Sequence, residues 1–70
     1  MKLNIWYRAS YKGMDFDRIV KRVSDEVIFH EQFGGWISYE VLTYPSYSKS
    51  GFVPDNWELT ELSSLEQELL

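Results

Sequence analysis

Catalysis or metal binding by this chain would have to involve His30, its single histidine. A metal ion would need carboxylates such as Glu31 and Glu40 beside it, because there is no cysteine and no second histidine to complete a site. A serine nucleophile would need its elbow sequence, and no such sequence is present. Gly34-Gly35 lacks the rest of a phosphate-binding loop. We therefore expect a protein that is not an enzyme and that carries no metal ion and no cofactor.

Recognition chemistry is better represented, because aromatic residues make up 17% of the chain. In the segment 44–57, Tyr44, Tyr47 and Phe52 are interleaved with serine, glycine and proline, as in binding loops, where tyrosine provides a large contact area at small entropic cost. The alternative is that this segment folds over the sheet as a lid for a thin core. The predicted partner-binding residues are Trp36, Tyr39, Tyr44, Tyr47, Phe52, Trp57, Glu58 and Glu61.

Charge is distributed unevenly along the chain, whose formal net charge is −4. Residues 1–35 carry six basic and five acidic side chains, whereas residues 36–70 carry one lysine and six acids. A nucleic-acid binder needs cations to displace phosphate counterions, so this balance argues against nucleic acid and favours a protein partner with a basic surface. The alternative function is nucleic-acid binding or regulation, and its residues would be Trp6, Arg8, Arg18, Lys21 and Arg22.

The elements that position these residues begin with a predicted strand at 2–10, where apolar and polar residues alternate. The apolar residues of this alternation are Leu3, Ile5, Tyr7 and Ala9. Trp6 falls on the polar side, between Asn4 and Arg8, and we expect it to pack under a neighbouring element with the arginine stem against its ring. The alternative is that Trp6 forms part of an exposed recognition surface.

A helix is predicted at 15–26, because apolar residues follow three-four spacing there and Asp15 is a competent N-cap. The residues with this spacing are Phe16, Ile19, Val20, Val23 and Val27. Several of them are β-branched, which leaves an alternative open. In that alternative Lys12-Gly13 is a hairpin turn and residues 14–23 form a strand that returns against 3–10.

A β-hairpin is predicted at 27–33 and 36–43 around Gly34-Gly35, because a two-residue turn favours positive φ at both central positions and glycine adopts it without steric cost. This register places His30 opposite Tyr39. Both faces of the hairpin would carry apolar side chains, so we expect the sheet to be covered on both sides.

The remainder of the chain predicts a connection and a helix. Residues 44–56 are rich in proline, serine and glycine, which argues against a regular central strand. Within 57–70, leucines at near-helical spacing predict an amphipathic helix whose start is open between Asn56, Thr60 and a capping box at Ser63-x-x-Glu66. If the helix starts at the capping box, we expect residues 57–61 to form a short edge strand instead.

Together these elements predict a single α+β domain, 1–70, in βαββα order, with a small antiparallel sheet packed against helix 15–26 and a C-terminal helix. The alternative fold has the hairpin 3–10/14–23, a third strand at 36–43 and the C-terminal helix. A chain of 70 residues buries only about 60% of its unfolded surface and here has no disulfide, so we also expect a homodimer.

The predicted function is that of a small, non-catalytic protein-binding module, an inhibitor or adaptor. We expect it to act in the cytoplasm without contacting a membrane, because the sequence has no signal peptide and no long apolar run. By analogy alone, compact domains without motifs or cysteines are common among phage and mobile-element proteins that block host defences such as CRISPR or restriction complexes.

Overall fold

The computed structural model describes the backbone of residues 1–70 and every side chain except those of Phe33 and Ser50. Its elements, in chain order, are β1 Trp6–Ser10, β2 Asp17–His30, a 3-10 turn Gln32–Gly34, β3 Trp36–Tyr44, β4 Ser48–Pro54, β5 Glu58–Glu61 and the helix α1 Ser64–Leu69. The strands form one 5-stranded antiparallel sheet in the order β4-β3-β2-β1-β5. No helix within the described residues is long and apolar enough to cross a membrane.

The sheet is strongly curled, because its two outermost strands, β4 and β5, are consecutive in the chain. In a flat sheet they would lie about 19 Å apart, four inter-strand spacings. The connecting residues 55–57 span at most about 14 Å even when fully extended. The register of β2 against β3 shifts between Arg22 and Val27, and such an irregularity bends a strand. The outcome is a partly closed barrel with an inner and an outer face.

The inner face holds the hydrophobic core. Its buried residues are Tyr7, Ala9, Val20, Val41 and Val53, surrounded by the partly buried Met1, Ile5, Tyr39, Trp57 and Leu59. Two arginines cover the rim of this core, because the Arg18 guanidinium lies 6.0 Å from the centre of the Trp57 ring and that of Arg22 lies 4.8 Å from the Tyr39 ring. The predicted alternation of β1 is confirmed for Tyr7 and Ala9, which both face the core.

Trp6 points to the outer face and is only 4% exposed. The Tyr47 ring packs against the indole in a T-shaped arrangement with 5.9 Å between centroids, and the ammonium of Lys21 lies 5.1 Å from the centre of the indole. Gln67 of α1 binds the Trp6 backbone twice, since the Trp6 N–H donates to Oε1 and Nε2 donates to the Trp6 carbonyl, both at 2.8 Å. The expectation that Trp6 packs under a neighbouring element is confirmed, but Lys21 takes the position expected of Arg8.

The predicted α+β class is wrong, because residues 15–26 form no helix and Asp15 caps none. Asp17–Lys21 instead pairs with Trp6–Ser10, and the same strand continues to His30 against β3. β-branched side chains pack well on a pleated surface. The two neighbouring strands also provide the backbone hydrogen bonds that a helix would have formed within the segment. The pairing of β1 and β2 resembles the alternative hairpin, although that arrangement contained neither β4 nor β5.

The predicted hairpin register is also wrong. Residues 31–35 form the connection, and His30 lies opposite Trp36 instead of Tyr39. Both glycines do adopt positive φ, 103° at Gly34 and 75° at Gly35, but they end a 3-10 turn and do not make a two-residue loop. The prediction of positive φ at both glycines is therefore confirmed, whereas the prediction of a two-residue connection is wrong.

The C-terminal part divides differently from the predicted connection and long helix. Residues 48–54 form β4, an edge strand that ends at Pro54, where a missing N–H does no harm to the ladder. The helix is confined to Ser64–Leu69, and the capping box of Ser63 with Glu66 starts it. The edge strand expected in that case is confirmed, as Glu58–Glu61 pairs with β1.

Candidate binding groove

An apolar groove of about 220 Å³ lies where α1 meets the outer face of the sheet. We call it the α1 groove, and its lining residues are Ile19, Tyr44, Leu62, Glu66, Leu69 and Leu70. Ile19 and Tyr44 are cross-strand partners in β2 and β3, so they form its floor. Leu69 extends into solvent from α1, with 76% of its surface exposed.

Local sequence and distant contacts together position α1. The Glu66 N–H donates to Ser63 Oγ and the Ser63 N–H donates to Glu66 Oε1, each at 3.2 Å, which closes the capping box and sets the start of the helix. The Leu62 N–H also donates to the Trp6 carbonyl at 3.1 Å. A helix of this length is not stable alone in water, so its contacts with Trp6 hold it on the sheet.

Tyr47 lies beside the groove, in contact with two of the residues that line it. Its hydroxyl donates to the Leu70 carbonyl at 3.2 Å, and its ring stands at right angles to that of Tyr44, 6.0 Å away. Its backbone has φ 53°, a left-handed conformation that costs a tyrosine about 1–3 kcal/mol. The ring contacts with Tyr44 and Trp6 and the hydrogen bond to Leu70 oppose that cost, so the turn between β3 and β4 is held against α1.

The rim of the groove carries a negative charge. The backbone N–H of Ser63, and after it the Ser63 hydroxyl, lowers the pKa of Glu66 below its ordinary value of 4.5. Hydrogen bonds to a carboxylate favour its charged form, so this rim remains ionised at neutral and mildly acidic pH. The groove thus combines an apolar floor with an anionic edge.

Ser63→Ala should loosen α1 because it removes the side-chain acceptor of the capping box. We expect the amide of Glu66 to exchange its hydrogen roughly 3- to 10-fold faster, measured by NMR hydrogen exchange. Ser64→Ala, one position along the chain, leaves the capping box intact and serves as the matched control. Equal exchange rates in the two variants would show that the box does not hold the helix.

Acidification should reproduce the effect of that substitution. Because the pKa of Glu66 is lowered in the folded chain, its contribution is present above about pH 4.5 and is lost as the pH falls through the lowered value. NMR chemical shifts of the α1 amides, followed through this range, should report the loosening. The Ser63→Ala variant should show a smaller change, since its carboxylate has already lost a partner.

The structure brings only part of the predicted partner-binding set together. Tyr44 and Tyr47 lie at the groove, and Phe52 is exposed farther along the outer face. Tyr39 and Trp57 pack against the core on the inner face. The rest lie elsewhere, with Trp36 stacked on His30, Glu58 exposed on β5 and Glu61 paired with Lys2 at 3.4 Å.

Most of the lining of the groove was absent from that predicted set. Ile19 is far in the chain from Leu62, Leu69 and Leu70, and the sequence does not indicate that these two parts of the chain meet. The one local signal was the Ser63-x-x-Glu66 capping box, one of three starts that the sequence left open for the helix, and a start at this box places Leu62 before the helix.

The basic residues of the alternative nucleic-acid surface are divided between the two faces. Arg8 is exposed on the outer face and pairs with Asp17 at 3.2 Å, and Lys21 lies over Trp6. Arg18 and Arg22 are on the inner face, where Arg18 donates to Thr43. The fifth member, Trp6, is buried. These side chains form no common surface on which a base could stack between cations.

His30 lies at the far end of the sheet from the groove. Its ring stacks on Trp36 at 3.8 Å, and its Nε2 is 2.9 Å from Ser38 Oγ. Glu40 accepts a hydrogen bond from Ser24. A wide depression of about 470 Å³ lies beside His30. Its lining consists of the consecutive residues 29–32, so the depression is a surface hollow without opposing walls.

The fold and the groove define a small, curled antiparallel β-domain whose short C-terminal helix forms one wall of an exposed apolar groove. Comparison with protein-family models, with curated proteins and with solved structures finds no match to this chain. The surfaces of the molecule itself therefore provide the evidence for its function.

Proposed function

We propose that this protein is a small protein-binding module, an inhibitor or adaptor, that receives an apolar side chain of a partner protein in the α1 groove. The observation that carries the proposal is the groove itself, an exposed apolar floor formed by Ile19 and Tyr44 beside the unburied Leu69. Exposed apolar concavities of this kind are typical of sites where another protein docks.

The dimensions of the groove favour a protein over a small molecule. Small-molecule sites enclose about 300–1,000 Å³, whereas this groove has about 220 Å³ and is open along its length. A space of this size accommodates one or two side chains of a docking segment. Tyr44 and Tyr47, rigid rings with a polar hydroxyl, suit the edge of such a contact.

Charge indicates the chemistry of the partner. Glu66 stands at the rim, and the chain as a whole has a formal net charge of −4. A segment with an apolar side chain flanked by lysine or arginine would complement this surface and would be steered towards it. Defence complexes that bind nucleic acid present basic surfaces. By analogy with phage and mobile-element proteins that inhibit them, we propose such a complex as the class of partner.

A peptide-display selection tests this proposal without a known partner. Random peptides of about 12 residues should be enriched on the immobilised protein if they combine an apolar side chain with lysine or arginine. Leu69→Ser should reduce their capture by roughly 10-fold or more, because Leu69 lines the groove. Leu65→Ser is the matched control, since Leu65 is equally part of α1 and is 66% exposed without lining the groove.

Two results would count against the groove. Equal loss of capture in the two leucine variants would show that α1 matters only for folding, and enrichment of acidic peptides would contradict the charge argument. Circular dichroism of each variant, recorded before the selection, confirms that the chain is folded.

A further inference from the structure

The second half of β2 is an open strand edge. On that side, β1 pairs only with Asp17–Lys21, and the backbone hydrogen bond that follows is from the Asn4 N–H to the Arg22 carbonyl, at 2.8 Å. Beyond Arg22, no strand of the described part of the chain pairs with β2 on this side, while β3 pairs with it on the other side. The Glu26 N–H already bonds to Ser24 Oγ, so a new ladder would use backbone donors only from Val27 onwards, while Glu26 could contribute its carbonyl and its side chain. We call residues 26–30 the free edge.

The free edge lacks the protection that the other edges have. β4 carries Lys49 and ends at Pro54, and β5 carries Glu58 and Glu61. Charged residues and proline discourage pairing with another strand. The free edge instead exposes consecutive apolar residues, Val27, Ile28 and Phe29. An apolar edge with unpaired backbone groups is a template for a further strand.

The order of residues in the free edge is self-complementary. It reads acid, apolar, apolar, apolar, base, from Glu26 to His30. In an antiparallel pair with a second copy, centred on Ile28, Glu26 lies opposite His30 of the other copy and Val27 lies opposite Phe29. A two-fold axis perpendicular to the sheet keeps each pair on one face, so a carboxylate lies opposite an imidazole that can donate to it, and the apolar side chains lie opposite each other.

We propose that the occupant of the free edge is a second copy of this chain, which joins two sheets through antiparallel β2 strands centred on Ile28. The ladder is short, so the dimer is weaker than a standard interface of about 800 Å² per partner would give. The α1 groove lies at the other end of β2, beside Ile19, and stays open in both copies. The dimer is therefore independent of the proposed function and would present two grooves to one partner.

Sedimentation velocity over protein concentrations from about 1 µM to about 1 mM tests the dimer. The average mass should rise from 8.3 kDa towards twice that value. Ile28→Lys places two ammonium groups opposite each other and should weaken association by at least roughly 10-fold. Phe52→Lys is the matched control, because Phe52 and Ile28 are both 42% exposed, and it should associate like the natural chain.

Single cysteines test the register, since the chain contains none of its own. Opposed Cα atoms in an antiparallel pair lie about 4.5–5.5 Å apart, within the range of a disulfide. Ile28→Cys should therefore oxidise to a covalent dimer several-fold faster than Val27→Cys or Phe29→Cys, whose own symmetry mates are offset by two residues.

A chain that remains monomeric throughout the concentration range overturns the proposal, as does equal crosslinking at all three positions. Peptides from the display selection whose capture is lost in Ile28→Lys would also overturn it, because the edge would then receive a segment of another protein. Loss of capture in Leu69→Ser alone concerns the groove and leaves the dimer unaffected.

Discussion

Trp6→Ala is expected to lower the free energy of unfolding by about 3–5 kcal/mol, the largest loss of any substitution considered for this chain. A domain of this length has a total stability of about 4–10 kcal/mol, so the variant would be close to unfolded at room temperature. The indole is 4% exposed and contacts Tyr47 and Lys21, and its backbone anchors Gln67. Removal of the ring leaves a cavity beneath α1 and exposes the contacts that hold the helix.

Trp36→Ala is the matched control for this experiment. Trp36 is only partly buried and stacks on His30 at 3.8 Å, so its replacement should cost about 1 kcal/mol. Urea denaturation followed by far-UV circular dichroism gives both values. Trp6→Phe should recover most of the loss because it restores a large ring. Similar losses for Trp6→Ala and Trp36→Ala would contradict a structural role that is special to Trp6.

Val20→Ala is expected to lower the free energy of unfolding by about 2–3 kcal/mol, from the lost burial of two methyl groups and the cavity that they leave. Val20 is 0% exposed and packs in the core formed by the inner face of the sheet. Its neighbours Val41 and Val53 are equally buried, so little space can collapse to compensate.

The same substitution at Val27 decides between two structures for this segment. In β2, Val27 is 45% exposed, and Val27→Ala should change the stability by less than about 0.5 kcal/mol at low micromolar concentration. The three-four spacing that predicted the helix placed both valines on one apolar face, with Val27 one residue beyond the predicted end at 26. If that helix extended to Val27, the two replacements would cost similar amounts. Denaturation of both variants under one set of conditions therefore tests the strand directly.

The features that the sequence predicted correctly depend on residues close together in the chain. The capping box joins Ser63 to Glu66 across one helical turn, and the alternation that turns Tyr7 and Ala9 to one side is a property of any extended strand. Because the partners lie within a few residues of each other, the rest of the fold cannot easily change these outcomes. The burial of Trp6 was predicted from its neighbours Asn4 and Arg8, but the side chain that covers the ring is Lys21 of the adjacent strand.

The features that the sequence did not predict depend on contacts between distant segments. Residues 15–26 have three-four spacing, but a strand between β1 and β3 obtains hydrogen bonds from both sides, which outweighs a helical preference of tenths of a kilocalorie per residue. The hairpin register was set by the bend in β2 and the 3-10 turn, not by the glycine pair. Ile19, Tyr44 and Leu69 meet in the groove only because the sheet curls.

The sequence by itself therefore determined the capping box at the start of α1, the alternation of Tyr7 and Ala9 in β1 and the acidic character of residues 36–70. The tertiary structure alone decided that the segment after Asp15 is a strand, that its second half has a free edge and that α1 forms a groove with Tyr44. The physical reason is that strand pairing and grooves bring together groups far apart in the chain, and the free energy of those contacts is not encoded in any short window of residues.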